Sequence, residues 1–459
     1  MADPRIIIVG AGPAGTRAAE VLVAAGLRPT VVDEGSRSGG QIYRRPPPNF
    51  TRSHDALYGT EAAKARAVHA AFDALGDRIT YRPETLAWAI KDDRLHALKG
   101  SRSEALAYDA LLLAPGATDR VMPLPGWTRP GCYSLGAAQI ALKAQGCAIG
   151  ERVVFLGTGP LLYLVAYQYM RAGHAPAAVL DTSSYGQQLS GLALMAARPG
   201  QLLKGVRLLR ALRRGGVPVL RNVEPLEVLG DAHGVDGVRF RDADGSERRL
   251  ACTAVGMGYH LRAESQLADL AGCEFRFDPA VQQWLPQTDA MGRSSRANVY
   301  LAGDGARLLG ADAAETAGRL AACAMLADLG HRQDARTVAR LQRAMKRHAR
   351  FAEGVARAFP WPHALAAELP DATLVCRCEA ITAGELRASV TALGAPEVNR
   401  AKAFSRVGMG RCQGRFCGLA SQEIVAAACK GRVEAAGRLR GQAPVKPLPI
   451  ALLGEDGRG

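Results

Sequence analysis

Apolar positions along this chain come in short unbroken runs and not in strict alternation. Residues 6–9, Ile-Ile-Ile-Val, are β-branched throughout and predict a strand buried on both faces, as in a parallel sheet. The run ends at Gly10-Ala11-Gly12-Pro13-Ala14-Gly15, and the Ala-rich residues 16–25 predict a helix. Residues 29–33 give a second strand closing on Asp33, which completes a βαβ unit. The same order returns 147 residues on: a strand at 152–156, the turn Gly157-Thr158-Gly159-Pro160-Leu161-Leu162, a helix to 173, and a strand at 177–181 ending in Asp181. The chain therefore carries an internal repeat.

Three further runs complete the pattern. Residues 108–117 form a short apolar strand that ends in Ala114-Pro115-Gly116-Ala117. Residues 299–305 form a late strand that turns at Gly303-Asp304-Gly305, before an Ala-rich helix over 311–329. Over 337–357 the period becomes helical. Arg332, Arg336, Arg340, Arg343, Arg347 and Arg350 recur every three or four residues and share one face. That stripe is either a solvated face or a docking face for an acidic partner. Three prolines mark residues 359–370 as a linker, a small module follows over 371–430, and three more prolines predict an extended tail.

Composition narrows the class only modestly. At 459 residues, with 48% hydrophobic and 22% charged, the chain has room for several domains and an ample core. Disordered and collagen-like chains are excluded. The net charge of +15 suits an acidic partner, but aromatics are only 5% and no basic block interleaves them, which points away from nucleic acid. No leader pattern and no apolar run of about 18 residues is visible, so no transmembrane segment is expected. A cytoplasmic protein is expected, with membrane association only through a complex. Ten cysteines are too dilute for a disulfide framework.

The glycines carry the first chemistry. In such a turn Gly10 makes the tight bend, Gly12 lets backbone approach a pyrophosphate, and Gly15 packs helix on strand. Phosphates then meet the helix N-terminus, and Asp33, 18 residues past Gly15, is placed for ribose hydroxyls. In the second unit Leu162 replaces the third glycine, so the helix is expected to sit further from the strand. Gly157, Gly159 and Asp181 form either a second adenine-nucleotide site, for NAD or ATP, or an empty one. No cysteine precedes residue 132 and no Cys-x-x-Cys occurs, which removes the disulfide reductases. The scattered histidines read as surface or satisfied polar residues, and catalytic residues are not identified.

Cys376-Arg377-Cys378 and, 33 residues on, Cys412-Gln413-Gly414-Arg415-Phe416-Cys417 give two close thiol pairs. Four thiolates suit two iron ions bridged by sulfide, or one tetrahedral zinc. Arg377, Arg411 and Arg415 are candidates to offset the charge. The spacing resembles the bacterioferritin-associated-ferredoxin module, which implies a [2Fe–2S] cluster on Cys376, Cys378, Cys412 and Cys417.

Gly39-Gly40-Gln41 after Asp33, with Ala302-Gly303-Asp304 late in the chain, resembles the FAD-dependent pyridine nucleotide–disulfide reductase superfamily. Residues 116–131, Gly-Ala-Thr-Asp-Arg-Val-Met-Pro-Leu-Pro-Gly-Trp-Thr-Arg-Pro-Gly, are similar to a narrower family. It comprises the α-type flavoprotein subunits of heteromeric amino-acid and opine dehydrogenases, including opine oxidases, D-hydroxyproline dehydrogenase and hydrogen cyanide synthase. The resemblance implies an α/β fold with two Rossmann-like, glutathione-reductase-like nucleotide-binding domains and a small helical C-terminal [2Fe–2S] domain. It implies FAD contacts at Gly10, Gly12, Pro13, Ala14, Gly15, Asp33, Glu34, Gly40, Gln41, Ala87, Ala114, Gly116, Gly303 and Asp304. The expected division is 1–120 and 261–345 for FAD, 121–260 for the second Rossmann unit, 346–370 for helix and linker, 371–430 for the cluster, and 431–459 for the tail. Two departures stand out: Pro115 where threonine is usual, and Leu162. The implied role is FAD-dependent electron transfer. An amine-oxidising flavoprotein β subunit, with or without a small ferredoxin-like γ subunit, carries the amino-acid chemistry. The rival is a stand-alone NAD(P)H-dependent ferredoxin-type reductase.

Overall fold

The computed structural model describes residues 3–47 and 49–449, so residues 450–459 of the expected tail lie outside the described residues. Ile6–Val9 is the centre of a five-stranded parallel sheet, ordered Val299–Leu301, Ala110–Leu113, Ile6–Val9, Thr30–Val32, Thr80–Arg82. Its unbroken apolar run has a direct cause. Ile6 and Ile8 pack with Ala14, Ala18 and Leu22 of the helix Pro13–Ala24. Ile7 and Val9 pack on the opposite face with Ala87 and Leu95 of the antiparallel sheet Thr85–Lys91, Arg94–Lys99 and Arg102–Ala107. Both faces are dry. The helix Ala311–Asp328 crosses Pro13–Ala24 so closely that a Cβ on Gly318 would lie 2.0 Å from the Ala14 carbonyl oxygen.

The repeat builds a second parallel sheet, ordered Val219–Arg221, Ala178–Asp181, Val153–Thr158, Ala254–Tyr259, Cys132–Ser134. The helix Pro160–Arg171 follows its central strand. Leu162, which stands where the first unit has its third glycine, is fully buried in one cluster with Val153 and Phe155. Asp312 ties the two units together: Lys64 donates to it at 2.6 Å, Gln201 at 3.0 Å, and Arg198 also pairs with it. Burial pushes the Asp312 carboxyl up, but Lys64 and Arg198 outweigh it and bring it from 3.8 to about 2. That contribution is complete above the ordinary pKa and is lost as pH falls through the folded one. Asp312→Asn should therefore cost about 2 kcal/mol at neutral pH, and the deficit in melting temperature should close as pH is lowered from 3.8 toward 2.

The helix Ala335–Ala358 starts at Asp334, whose carboxylate accepts from the N–H groups of Arg336 and Thr337. Arg332 precedes this helix and the other five stripe arginines lie on it. Residues 359–370, expected as a linker, are not a solvated tether. Trp361, Ala366 and Leu369 are buried in one cluster with Met122 and Tyr259 of the body and Leu386, Ala420 and Ile424 of the C-terminal helices. The prolines stop the helix, yet the residues between them are apolar and pack. The helices Ala383–Thr391, Val398–Ser405 and Gly418–Ala428 thus share a core with the rest of the chain. Among the described residues, no helix is long and apolar enough to cross a membrane.

Candidate nucleotide and iron–sulfur sites

Two of the three fingerprint glycines are required by the fold itself. Gly10 has φ +105°, and a Cβ there would lie 2.3 Å from the Ala114 carbonyl oxygen. A Cβ on Gly15 would lie 1.8 Å from the Gly10 oxygen. Gly12 differs. Its φ of −78° and ψ of −171° suit any residue, and a Cβ would meet nothing nearer than Gly40 Cα at 3.6 Å. No protein atom demands a glycine at 12, so the space beside it fits a ligand lying against the backbone. Pro13 and Ala14 open the helix with no side-chain cap and no acid in the first turn, which leaves its orphan N–H groups to an anion.

The remaining cradle residues converge on this turn. Asp33 accepts from Ala11 N–H at 2.5 Å and from Gly35 N–H at 2.7 Å, one on each oxygen, so each oxygen retains a lone pair for a ribose hydroxyl. Burial raises its pKa against those two hydrogen bonds. Gly39 donates to the Ala11 carbonyl at 2.9 Å, and a Cβ on Gly40 would come within 2.9 Å of Gly12 Cα. Ala87 is on the strand whose first residue, Thr85, donates to the Asp33 carbonyl at 2.9 Å. Ala114 donates to the Val9 carbonyl at 2.8 Å, and Gly116 follows at φ +78° with open space around it. Gly303 sits over Ala14, with a would-be Cβ 3.2 Å away. Asp304 braces the next loop through one oxygen, which accepts from Leu309 at 3.0 Å and Gly310 at 2.9 Å; the other oxygen is left for a ligand. Burial raises this carboxyl also. Glu34 pairs with Lys446, and the Gln41 side-chain oxygen accepts from Arg44 at 2.7 Å. Pro115 packs its ring on Gly305.

The second unit retains Gly157 at φ +142° and Gly159 at φ +103°, but its acid is already saturated. Asp181 is fully buried and accepts from Thr158 Oγ1 at 2.8 Å, Ser183 N–H at 2.8 Å, Gln188 Nε2 at 3.2 Å and the Tyr163 hydroxyl. Four donors fill a carboxylate. Of the two readings of this unit, a nucleotide site or an empty one, the saturated Asp181 fits the empty one, because Tyr163 and Thr158 already occupy the carboxylate.

At the C-terminal module, Cys376 lies beside Cys417 and Cys378 beside Cys412. Backbone N–H groups of Gly408, Glu379 and Cys378 reach Cys376, and that of Cys412 reaches Cys378. The loop can wrap so tightly because Gly408 and Gly414 are left-handed and a Cβ on Gly410 would lie 2.3 Å from the Cys378 Cβ. Among the described residues no three ligand-type side chains converge as one ion requires. Two thiol pairs with backbone donors suit two irons, each taking two cysteines, better than one tetrahedral zinc. Of the arginines expected to offset cluster charge, Arg415 is paired with a carboxylate, while Arg377 keeps its charge beside the ring next to Cys417. Arg377 lies 4.4 Å over the Phe416 ring, and Arg415 pairs with Glu264 at 2.7 Å. Arg377 and Arg411 are both exposed, and Arg415 is half-buried.

Residues 4–327 match the pyridine nucleotide-disulphide oxidoreductase family, and residues 374–427 match the BFD-like [2Fe-2S] binding domain. The opine oxidase A-subunit of Rhizobium meliloti is 38% identical, over 98% of this chain and 87% of that protein. The chain belongs to the opine oxidase A-subunit family. As a member of that family it is an FAD-dependent oxidoreductase with a [2Fe–2S] domain. The HcnB component of hydrogen cyanide synthase from Pseudomonas aeruginosa PAO1 is 30% identical over 97% of both chains. The crystal structure of L-proline dehydrogenase from P. horikoshii has the same fold, with a TM-score of 0.70 and 17% identity over 98% of this chain and 79% of that one. In this family member two residues that no sequence motif marks bear on the site. Glu264 bridges cradle and cluster loop, and His260 sits on the second glycine turn. Neither lies in a recognisable spacing; their partners are 151 and 99 residues distant.

Proposed function

We propose that this chain is the FAD- and [2Fe–2S]-carrying electron-transfer subunit of a heteromeric dehydrogenase. In this reading D-hydroxyproline, proline, glycine or an opine is oxidised on an amine-oxidising flavoprotein β subunit, with or without a small ferredoxin-like γ subunit. FAD lies along Gly10, Gly12, Gly15, Asp33, Gly40, Gly116 and Asp304, and the cluster is held by Cys376, Cys378, Cys412 and Cys417. FAD when bound supplies two-electron uptake with one-electron release, and the cluster takes single electrons.

One observation carries this reading. Glu264 donates its N–H to the Gly116 carbonyl at 3.1 Å, beside the cradle. Its carboxylate accepts from Arg415, which stands between Cys412 and Cys417. Two redox sites are thus braced by one residue, whereas a disulfide reductase would put a cysteine pair at the flavin. The arginine stripe supports an acidic partner.

Purified protein should contain FAD with about two iron and two sulfide per chain. Cys412→Ser should remove the cluster spectrum and retain FAD. Co-expressed with its chromosomal neighbours, the complex should reduce an artificial acceptor with one of these amines. Charge reversal at Arg340 and Arg343, or salt that shortens the Debye length below about 8 Å, should weaken assembly. One zinc without sulfide, or full amine turnover by the isolated chain, would sink the proposal.

A further inference from the structure

In open α/β sheets a ligand binds beyond the C-terminal strand ends, where the strand order reverses. In the second sheet that crevice lies between Val153–Thr158 and Ala254–Tyr259, whose last residues pair as Thr158 with Tyr259. We infer, building on the reading above, that residues 359–361 fill this crevice and that Phe359 and His260 thereby exclude nicotinamide dinucleotides as electron donors.

The anchoring is specific at each position. His260 follows Tyr259 in the left-handed region, at φ +65°, and lays its ring on Gly159, where a Cβ would lie 3.0 Å from Nδ1. An imidazole therefore covers the turn over which a pyrophosphate would run. Its Nε2 donates to the Phe359 carbonyl, which fixes the tautomer because a carbonyl only accepts. Burial lowers the imidazole to about 4, so it is neutral at physiological pH and offers an anion no charge. The Phe359 ring stands 6.2 Å from Tyr163 and 6.4 Å from His260. Tyr163 in turn donates to Asp181, which removes the ribose acceptor.

Trp361 holds the other end. It is 6% exposed, meets Tyr259 edge to face at 5.9 Å, and lies 3.7 Å from the Arg120 guanidinium. Its indole N–H donates to Glu423 at 2.8 Å, on the helix Gly418–Ala428 of the cluster module. The segment is thus fixed to the second sheet and to the cluster module together. Beneath it the anion-ready helix start remains: Pro160–Arg171 has no side-chain cap and no acid in its first turn. The phosphate end of the site is covered and not dismantled, although its ribose acceptor is taken by Tyr163.

The test is dinucleotide binding by calorimetry on the purified FAD- and cluster-loaded protein, with NADH and ADP-ribose as probes. Wild type should show no saturable binding at about 1 mM probe, while His260→Gly and Phe359→Ala should each gain affinity by about tenfold or more. Glycine suits the left-handed position, so His260→Gly covers the case in which Phe359→Ala does not fold. Wild-type binding well below that concentration would overturn the inference, as would variants that keep FAD and cluster but bind no better. Binding without flavin bleaching would leave the electron-transfer reading standing. Rapid bleaching of the wild-type flavin by NADH would defeat both.

Discussion

Gly12→Ala should leave the fold intact and strip the protein of FAD, whereas Gly15→Ala should prevent folding. The two glycines lie three residues apart in one motif, but different atoms require them. At Gly15 the added methyl would sit 1.8 Å from the Gly10 oxygen, between a helix and a strand that are both buried. Neither can retreat without opening the core that Ile8, Ala14 and Ala18 share. At Gly12 the methyl would meet only Gly40 Cα at 3.6 Å, an ordinary contact, on a backbone that any residue adopts. The collision at 12 is with the ligand alone. Losing close approach at the helix N-terminus should weaken FAD on the order of a hundredfold, about 2.8 kcal/mol. Flavin absorbance per chain and the melting temperature of the apoprotein separate the two effects. An FAD-replete Gly12→Ala protein would show that the pyrophosphate does not pass over this turn.

This contrast also shows what a sequence makes legible. Both βαβ units are readable because their strands are buried on two faces, so residues 6–9 and 153–156 are apolar without interruption. The cysteines are readable because their ligand spacing is local. Asp33 and Asp181 look alike in sequence, each an acid closing a second strand. They differ because Tyr163, on the neighbouring helix, donates to Asp181, while Asp33 receives only backbone N–H groups. Nothing in the spacing announces that. A leucine in place of the third glycine marks a difference between the two units, but its burial beside Phe155 is seen only in the folded chain. Residues 359–370 read as a linker because their three prolines end the preceding helix, and proline says nothing about whether Trp361 will be buried. Pairing across 151 residues, as between Glu264 and Arg415, is a property of the folded chain alone.

That pair supports the second large effect: Glu264→Gln should release the cluster module from the body. The Glu264 and Arg415 side chains are each only 11% exposed, and Arg415 donates to both carboxylate oxygens, at 2.7 and 3.1 Å. Arg262, half-buried, donates to the Gly414 and Arg415 carbonyls at 2.9 and 3.0 Å. Burial alone would push the Glu264 carboxyl up, yet Arg415 and then Arg262 hold it below its ordinary value. Two guanidinium groups thus share one carboxylate. Removing that charge leaves the Arg415 guanidinium, only 11% exposed, without its ion-pair partner, a change worth about 3–5 kcal/mol. The exposed pair Arg387–Asp371 sets the scale, because its aspartate is 76% exposed and Asp371→Asn should cost about 1 kcal/mol or less. The four cysteines all belong to the module, so iron content should persist in Glu264→Gln. The flavin-to-cluster electron transfer rate should fall, and proteolysis should cut between body and module. Iron lost together with FAD would mean that the module has no fold apart from the body. Unchanged stability and electron transfer would mean that the shared core around Trp361 and Ile424, not the ion pair, holds the two redox sites together.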